Sequence, residues 1–412
     1  MKVEIENINA NGIGIAWHEN KKIFVPYSLA GEVLEIEIVE QSNKFTRGAI
    51  RTILSPSEHR ISAPCKYFEK CGGCSLQHMD AANYLAFKTS LLESALKHAG
   101  ISFEAPAPII IENRKRRRTS LKAKLSGKIL QLGYYQAHSH EVIAIDECLV
   151  LVDSLNFLLK DLTKIISDFN AIIISKDAIE ISLTEANNGI DILLKSKHPS
   201  GRNEKKLLTS LTEKHNIARI SWKVDDDYEE IWLQHTPMIS FKENEVVLPR
   251  DAFLQVSKES ENLMIDFILL HTKNLSNIID LFAGSGTYSI PISNYAKIHA
   301  VEGNREMLEV LKNFSLNLSC ERRDLYKNPI KANDLEHYEL AIINPPRNGA
   351  TPQITAISKS KLTKVILVSC DLNSFSRDAK ILASSGFKLA YIVAIDQFSF
   401  TPHLEVMASF ER

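Results

Sequence analysis

The chain has 412 residues, of which 44% are hydrophobic and 24% are charged, so it is long enough for two or three domains with hydrophobic cores. Its formal net charge of −1 excludes a globally basic nucleic-acid-binding protein, so any nucleic acid must be held by a local basic patch. No apolar run reaches the roughly 18 residues of a membrane span, and the amino terminus lacks a signal-peptide pattern. These features predict a cytoplasmic protein without membrane contact.

Residues 1–54 contain short strand-like stretches that are separated by Gly, Asn and Pro. Residues 35–38 alternate between polar and apolar side chains, as a half-buried strand does. This spacing predicts a small β-barrel of the OB type, which is a common platform for single-stranded nucleic acid. The pattern fits a purely structural cap equally well. The predicted strands cover residues 2–8, 12–17, 22–25, 32–39 and 45–54.

The six cysteines are unevenly distributed, and three of them, Cys65, Cys71 and Cys74, form a cluster. Cys148 follows much later in the chain. A disulfide framework is not expected in a large chain without an export signal, so metal binding or catalysis is the better interpretation. Three clustered thiolates with a distant fourth can bind either an iron–sulfur cluster or a tetrahedral zinc ion.

The region after the clustered cysteines is predicted to be of mixed α+β type and to end near residue 235. Apolar residues recur at helical spacing in residues 84–96 and, more strongly, in residues 151–169, whereas residues 217–222 read as a strand. A basic run covers residues 114–118. As a strand, it would present Arg114, Arg116 and Arg118 on one face to RNA phosphates, although such runs are often only solvated surface.

From about residue 250 the pattern changes to regular alternation of strand and helix. The strand-like residues 278–282 lead into the turn Ala283-Gly-Ser-Gly-Thr287, and the strand-like residues 298–302 end in Glu302. A carboxylate at this place can accept hydrogen bonds from both hydroxyls of a ribose. Ser289 stands where the third glycine of a dinucleotide fingerprint would fall, which favours S-adenosylmethionine over a dinucleotide.

Two further strand-like runs end in polar chemistry. Residues 340–343 lead into Asn344-Pro-Pro-Arg347, in which the paired prolines fix a rigid turn, and residues 365–369 lead into Cys370. If both strands belong to one parallel sheet, their carboxyl ends open into the same crevice. A planar base beside a methyl donor would fit such a crevice, whereas a stiff strand exit and an inert thiol are the structural alternatives.

Five segments together resemble the RNA uracil-5 methyltransferases, and the similarity spans nearly the whole chain. Residues 1–54 look like the TRAM barrel of these enzymes, and the four cysteines are similar to the [4Fe-4S] ligands of their ribosomal-RNA branch. The resemblance therefore implies 23S ribosomal RNA as the partner, favours the iron–sulfur cluster over zinc, and implies no obligate protein partner. The segments are Asp251-Ala-Phe-Leu-Gln255, Asp280-Leu-Phe-Ala-Gly-Ser-Gly286, Asn344-Pro-Pro-Arg347, Val368-Ser-Cys370 and His403-Leu-Glu405.

The resemblance also implies the α/β architecture. Residues 1–54 would form the TRAM OB-fold barrel, residues 55–235 a central α+β iron–sulfur and RNA-contacting domain, and residues 236–412 a Rossmann-like class I S-adenosylmethionine-dependent methyltransferase domain. A helix near residues 79–99 would pack on the catalytic domain.

The chemistry of this family assigns roles to individual residues. Carbon 5 of uracil is a weak nucleophile, so a thiolate first adds to carbon 6, and Cys370 is the implied nucleophile. A base must then remove the proton from carbon 5, and Glu405 is the implied base. The residues that match the positions holding S-adenosylmethionine are Gln255, Phe282, Thr287, Glu302, Asp324 and Asn344.

Asn344 departs from the family pattern, in which an Asp is common at this position. An Asn side chain can still pair with the N3 donor and O4 acceptor of uracil, but it lacks the negative charge near the cofactor and the thiol. Three alternatives therefore stay open. The chain could be a metal-containing RNA-binding protein with impaired catalysis, a methyltransferase of uridine in transfer RNA, or an adenine-N6 methyltransferase.

Overall fold

The computed structural model describes residues 1–42, 45–126, 129–137, 139–169, 178–312 and 314–412. Within these ranges the strands form one six-stranded, one seven-stranded, one two-stranded and one eight-stranded sheet. None of the helices in these ranges is long and apolar enough to cross a membrane.

The six-stranded sheet at the amino terminus is a closed barrel. The segment predicted as the first strand forms two strands, because it pairs with different strands on its two sides. The Ile5 amide donates to the Glu32 carbonyl, and the Glu6 amide donates to the Ile15 carbonyl. This extended segment therefore pairs on both edges, which closes the sheet in the order β1-β5-β6-β4-β3-β2, with β4 and β6 parallel. The strands are β1 (Lys2–Glu4), β2 (Asn7–Ile8), β3 (Gly14–His18), β4 (Lys21–Val25), β5 (Val33–Gln41) and β6 (Thr46–Ser55).

The seven-stranded sheet runs in the order β10-β9-β8-β11-β12-β13-β14. Leucines at helical spacing along α2 are buried against it, which is the amphipathic stripe that the sequence predicts. The elements of this part of the chain are α1 (Ala81–Ala99), β7 (Ile109–Ile110), β8 (Arg118–Ser126), β9 (Ile129–Tyr135), β10 (Val142–Ala144), α2 (Asp153–Ile166), β11 (Ile179–Ala186), β12 (Gly189–Lys195), α3 (Arg202–Ser210), β13 (Ile217–Val224) and β14 (Asp227–Leu233).

The two-stranded sheet is the hairpin of β15 and β16, and the eight-stranded sheet has the order β19-β18-β17-β20-β21-β23-β22-β7. All strands of the larger sheet are parallel except β23. This is the predicted Rossmann-like methyltransferase architecture. The elements are β15 (Met238–Phe241), β16 (Asn244–Val247), α4 (Lys258–Thr272), β17 (Asn277–Leu281), α5 (Ser289–Ser293), β18 (Lys297–Glu302), α6 (Arg305–Leu311), β19 (Leu318–Arg322), β20 (Leu340–Ile343), α7 (Thr351–Ser358), β21 (Lys364–Ser369), α8 (Leu372–Ser384), β22 (Lys388–Asp396) and β23 (Glu405–Glu411).

The seven-stranded sheet is called the central sheet below, and the eight-stranded sheet the catalytic sheet. Helix α1 precedes the central sheet in the chain, but it packs on α8, which connects two strands of the catalytic sheet. Asp80 accepts a hydrogen bond from the Asn83 amide and so caps its start, and Gly100, with φ of +72°, ends it. Leu92 and Leu96 belong to the same hydrophobic core as Phe375 of α8. The helix therefore joins the cysteine-containing segment to the catalytic sheet.

The basic run does not form one strand, because β8 begins only at Arg118. Arg114 adopts φ of +50°, and its guanidinium lies 4.6 Å from the ring centroid of Phe400. Arg117 is buried. The prediction of a strand with Arg114, Arg116 and Arg118 on one face is wrong, because the run turns as it passes between two sheets.

Candidate active site

Four of the predicted site residues lie at the carboxyl ends of parallel strands in the eight-stranded sheet. Phe282 follows β17, Glu302 ends β18, Asn344 follows β20 and Cys370 follows β21. The strand order reverses between β17 and β20, which is where ligands bind in open α/β sheets. The sequence could predict the positions of these residues because each one ends or follows a strand-like run.

Cys370 and Glu405 are neighbours across two antiparallel strands. Ser369 of β21 lies opposite Val406 of β23, so Cys370 directly follows one partner and Glu405 directly precedes the other. Burial, together with the nearby Glu405 carboxylate, raises the pKa of the half-buried Cys370 thiol to about 11, although the positive charge of Arg347 opposes this shift. The two predicted catalytic side chains therefore share one electrostatic environment.

Glu405 is a buried acid, with only 3% of its surface exposed. Burial raises the pKa of this carboxyl to about 8, because water no longer stabilises the charged form. The Gln397 side-chain amide donates a hydrogen bond of 2.6 Å to Oε2 of Glu405 and partly offsets this effect. A carboxyl with such a pKa can accept a proton near neutral pH.

Gln397 joins Glu405 to two other parts of the site. Its Nε2 also donates to Oε1 of Gln255 at 2.9 Å, and its Oε1 accepts from the Ser260 hydroxyl at 2.9 Å. This arrangement brings Gln255, a residue expected to bind the cofactor, to the predicted base. Sequence reasoning missed Gln397 and Ser260, since neither belongs to a local pattern and both are defined by partners far away in the chain.

The glycine turn after β17 is held by Glu302. The Gly284 amide donates to Oε2 of Glu302 at 2.9 Å, and the Asn304 amide donates to Oε1 at 2.8 Å. Gly286 adopts φ of +94°, and an added Cβ would lie 2.4 Å from the Leu311 side chain, so a larger residue would not fit. The carboxylate is thus fixed beside the turn with lone pairs left for further hydrogen bonds.

Three other expected cofactor residues lie around this turn. Phe282 packs against the hydrophobic core, with its ring centroid 5.4 Å from that of Tyr326, and Thr287 is half-buried just before α5. Asp324 is exposed beyond β19, and its Oδ1 accepts from the Tyr326 amide at 3.0 Å and the Lys327 amide at 3.2 Å. Asp324 therefore already caps a turn of its own.

Asn344 is half-buried at the start of the rigid proline turn. Its backbone amide donates to the Leu281 carbonyl at 3.2 Å, so the ends of β17 and β20 are tied together. After the turn, the buried Asp378 accepts hydrogen bonds from the Ala350 amide and the Thr351 hydroxyl, both at 2.7 Å. The segment that contains Asn344 is thereby fixed on both sides.

One cavity of about 580 Å³ is lined by four cysteines, three of which are clustered in the sequence. Arg116 and Arg118 also line this cavity, which extends to Arg347 and Phe398. Cys370 and Glu405 do not line it, although Arg347 lies close enough to influence the Cys370 pKa. The Gly72 amide donates to the Tyr135 carbonyl at 3.0 Å, which holds the cysteine segment against the central sheet. The four are Cys65, Cys71, Cys74 and Cys148.

These thiols are partly buried and influence one another. Burial raises the pKa of Cys74 to about 11, and burial together with the neighbouring thiols raises the pKa of Cys71 and Cys148. Four sulfur donors around one cavity suit the soft ligation of an iron–sulfur cluster. Among the described residues, however, no group of three or more His, Cys, Asp or Glu side chains is arranged to hold a metal ion.

Two family models together match most of the chain. The TRAM domain of tRNA (uracil(54)-C(5))-methyltransferase matches residues 1–57, and the tRNA (uracil-5-)-methyltransferase model matches residues 94–412. Full-length relatives agree. The chain is 31% identical over 422 residues to an uncharacterized RNA methyltransferase of Rhizobium meliloti, which covers 100% of this chain and 99% of the relative. It is 29% identical over 426 residues to the 23S rRNA (uracil(1939)-C(5))-methyltransferase RlmD of Vibrio parahaemolyticus, covering 100% and 95%.

A solved structure shares the fold over the whole length. The Pyrococcus abyssi tRNA (uracil-54, C5)-methyltransferase, crystallised with S-adenosyl-L-homocysteine, is 20% identical to this chain with a TM-score of 0.77. The match covers 100% of this chain and 99% of that one.

Proposed function

Because the chain belongs to the tRNA (uracil-5-)-methyltransferase family and carries a TRAM domain, we propose that it methylates carbon 5 of a uridine in 23S ribosomal RNA. The observation that carries the chemistry is the juxtaposition of Cys370 and Glu405 across β21 and β23. The full-length similarity to RlmD supports the choice of 23S RNA.

The first step is nucleophilic addition. The Cys370 thiolate forms a bond from sulfur to carbon 6 of uracil, and the electron pair of the carbon 5 to carbon 6 double bond moves toward carbon 5 and O4. S-adenosylmethionine would supply the methyl group to carbon 5 and would leave as S-adenosylhomocysteine, whose sulfur keeps the electron pair of the broken sulfur–methyl bond. Arg347 assists the first step, because its positive charge lowers the pKa of the Cys370 thiol against the effect of burial.

The second step is elimination. Glu405 removes the proton from carbon 5, the double bond re-forms, and the carbon 6 to sulfur bond breaks to release the Cys370 thiolate. A carboxyl with a pKa of about 8 accepts this proton readily and returns it to water afterwards. Gln397 holds the carboxylate in place through its 2.6 Å hydrogen bond.

The cofactor would lie over the glycine turn. Glu302, fixed by two backbone amides, presents its free lone pairs to the ribose hydroxyls, and Gln255 reaches the same crevice beside Glu405. Phe282 and Thr287 line the turn. Asp324 would meet the adenine amino group through Oδ2, which lies 3.6 Å from Nζ of the exposed Lys327. Asn344 would face the methyl donor and the uracil edge from the end of β20.

The cysteine cavity would hold a [4Fe-4S] cluster through Cys65, Cys71, Cys74 and Cys148. Because methylation includes no redox step, this cluster would fix the cysteine segment and orient RNA. Arg116 and Arg118 line the same cavity and supply positive charge for phosphates, while the barrel binds a single-stranded segment. The target uridine must leave its stack to reach Cys370.

The central test is incubation with unmethylated 23S ribosomal RNA and methyl-labelled S-adenosylmethionine, followed by mapping of labelled uridines. We expect label at carbon 5 of uridine. A parallel incubation with unmodified transfer RNA tests the other substrate class of the family. Absence of transfer to uridine in either RNA, with RNA binding retained, would support the alternative of a metal-containing RNA-binding protein.

RNA that contains 5-fluorouridine tests the covalent step. Fluorine at carbon 5 cannot be removed as a proton, so the adduct between RNA and Cys370 should persist on a denaturing gel. Cys370→Ala should abolish the adduct, and Cys320→Ala, which changes a half-buried cysteine on β19, serves as the matched control. An adduct that survives Cys370→Ala would remove Cys370 as the nucleophile.

Asn344 is tested by restoring the family residue. Asn344→Asp adds a negative charge near the thiol and the cofactor sulfonium, so we expect tighter cofactor binding and a higher pH requirement for adduct formation. An unchanged pH profile would show that the charge at this position does not reach Cys370.

A further inference from the structure

A fully buried ion pair lies behind the loop of residues 397–404, which connects β22 to the catalytic carboxylate. Lys88 of α1 and Asp396 at the end of β22 are both 0% exposed, and Nζ of Lys88 lies 2.8 Å from Oδ1 of Asp396. Burial lowers the pKa of Lys88, and the Asp396 carboxylate opposes this effect. Both charges of a buried pair lose their hydration, so such a pair contributes little net stability compared with apolar side chains. Its hydrogen bonds therefore indicate a role other than stabilising the core.

The ion pair and Tyr84 of α1 together anchor the loop at its beginning, its middle and its end. Lys88 Nζ also donates to the His403 carbonyl at 2.5 Å, two residues before Glu405. The Tyr84 hydroxyl donates to Oδ2 of Asp396 at 2.6 Å and accepts from the Phe400 amide at 2.9 Å. Two side chains on one face of α1 thus fix the whole connection.

The middle of the loop is also held by the two residues that follow Cys74. The amides of Ser75 and Leu76 donate to the Phe400 carbonyl at 2.8 and 3.0 Å. Phe400 adopts φ of +61°, a conformation that L residues rarely take without support from their surroundings. The loop conformation therefore depends on contacts from outside the catalytic sheet.

We propose that Lys88, Asp396 and Tyr84 are positioning residues, through which helix α1 fixes Gln397 and Glu405 for proton removal. Gln397 directly follows Asp396 and donates to Glu405, so a shift of the anchor moves both the base and its hydrogen-bond donor. Cys370 directly follows β21 and is not part of this loop. The inference rests on the proposed uracil methylation.

Because the loop positions the base but not the nucleophile, a change in its anchor should slow elimination and leave addition of the Cys370 thiolate unchanged. A displaced base leaves the methylated uracil attached to Cys370, since the proton on carbon 5 stays in place. Tyr84→Phe removes the two hydroxyl bonds and keeps the ring. The double variant Lys88→Met/Asp396→Leu removes both charges together, so no unpaired charge is left buried. Ser94→Ala, which changes an exposed residue of α1, is the matched control.

The experiment measures two quantities for the full-length enzyme with 23S ribosomal RNA. With uridine RNA and labelled cofactor, we expect both variants to release methylated RNA about tenfold to a hundredfold more slowly than wild type and to accumulate covalent complex. With 5-fluorouridine RNA, we expect the variants to form adduct as fast as wild type. Tyr84→Phe keeps the test valid if the double variant does not fold.

Each other outcome is decisive. Variants that release product like wild type overturn the inference, and so do variants in which adduct formation falls as much as release, because that result indicates a merely structural role. A wild-type enzyme that forms no adduct overturns the proposed function, and the inference with it.

Discussion

The loop of residues 397–404 is bounded by two buried carboxylates whose surroundings differ. At one end, Asp396 faces the Lys88 ammonium group at 2.8 Å. At the other end, Glu405 accepts a hydrogen bond from the neutral side-chain amide of Gln397, and burial raises the pKa of Glu405 to about 8. A charged partner suits a carboxylate for a structural role, whereas a neutral partner leaves it able to exchange a proton.

The two carboxylates also differ in their position relative to Cys370. The ion pair contacts the loop backbone at its end through the His403 carbonyl and lies away from Cys370 in the chain and in the sheet. Glu405 lies next to Cys370 in the register of β21 and β23. In the proposed reaction, Asp396 therefore acts indirectly, through the position of the loop, whereas Glu405 acts directly as the base.

The largest expected effect is on turnover. Glu405→Gln removes the base, so we expect release of methylated RNA to fall by about 10² to 10⁴-fold while methylated RNA stays bound to Cys370. Single-turnover labelling followed by a denaturing gel measures both. Glu411→Gln at the other end of β23 is the matched control. Wild-type release in Glu405→Gln would assign the base elsewhere.

The next effect is on stability. Asp396→Asn leaves the Lys88 ammonium buried without a counter-charge, so we expect the free energy of unfolding to fall by about 3–5 kcal/mol. Asp153→Asn, at an ion pair whose carboxylate is 95% exposed, should cost no more than about 1 kcal/mol. Urea unfolding compares the two variants. Equal losses would show that the buried pair is no more important than a surface pair.

A pH-dependent effect on stability should single out Glu405. Its folded-state pKa of about 8 lies above the ordinary value, so protonation stabilises the fold at low pH and this contribution is lost as the pH rises toward 8. Glu405→Gln avoids the loss. We expect its melting temperature to exceed that of wild type by about 2–4 °C at pH 9, with a smaller difference at pH 5. A difference that does not grow with pH would contradict the raised pKa.

The smallest expected effect is that of replacing Gln397, the neutral hydrogen-bond donor to Glu405, on the pH profile of product release. Gln397→Met removes the donor that lowers the pKa of Glu405, so the pH profile of product release should move to higher pH. If the pKa of Glu405 rises by about one, the rate at pH 7 should fall about tenfold, whereas the rate at pH 9 should fall only about twofold. Ser260→Ala, which removes only the support for the Gln397 amide, should move the profile less. A uniform loss at all pH values would instead indicate a distorted site.

Much of the fold follows from local patterns. Alternation and turn residues predict the barrel, and strand-to-helix alternation predicts the Rossmann-like sheet together with the strand ends at Glu302, Asn344 and Cys370. The basic run shows the limit of such reasoning. Its alternating arginines have the period of a strand, yet Arg117 is buried and Arg114 stacks on Phe400, because the segment crosses between two sheets.

The support of the site could not be predicted in the same way. Lys88 belongs to an amphipathic helix and Asp396 ends a strand, and their contact spans 308 positions of the chain. Gln397 looks like an ordinary loop residue until Glu405 and Gln255 are brought to it. Sequence patterns report on neighbours along the chain, whereas these hydrogen bonds depend on the packing of separate elements.

Hydrophobic periodicity and turn chemistry are local, so the amino-acid sequence is enough to predict the classes of element and the residues that end each catalytic strand. The position of Glu405 beside Cys370 and the neutral Gln397, and the contact of helix α1 with the loop before Glu405, follow instead from the packing of distant segments. Burial sets the pKa of Glu405 and the environment of Lys88, and burial exists only when distant segments pack together.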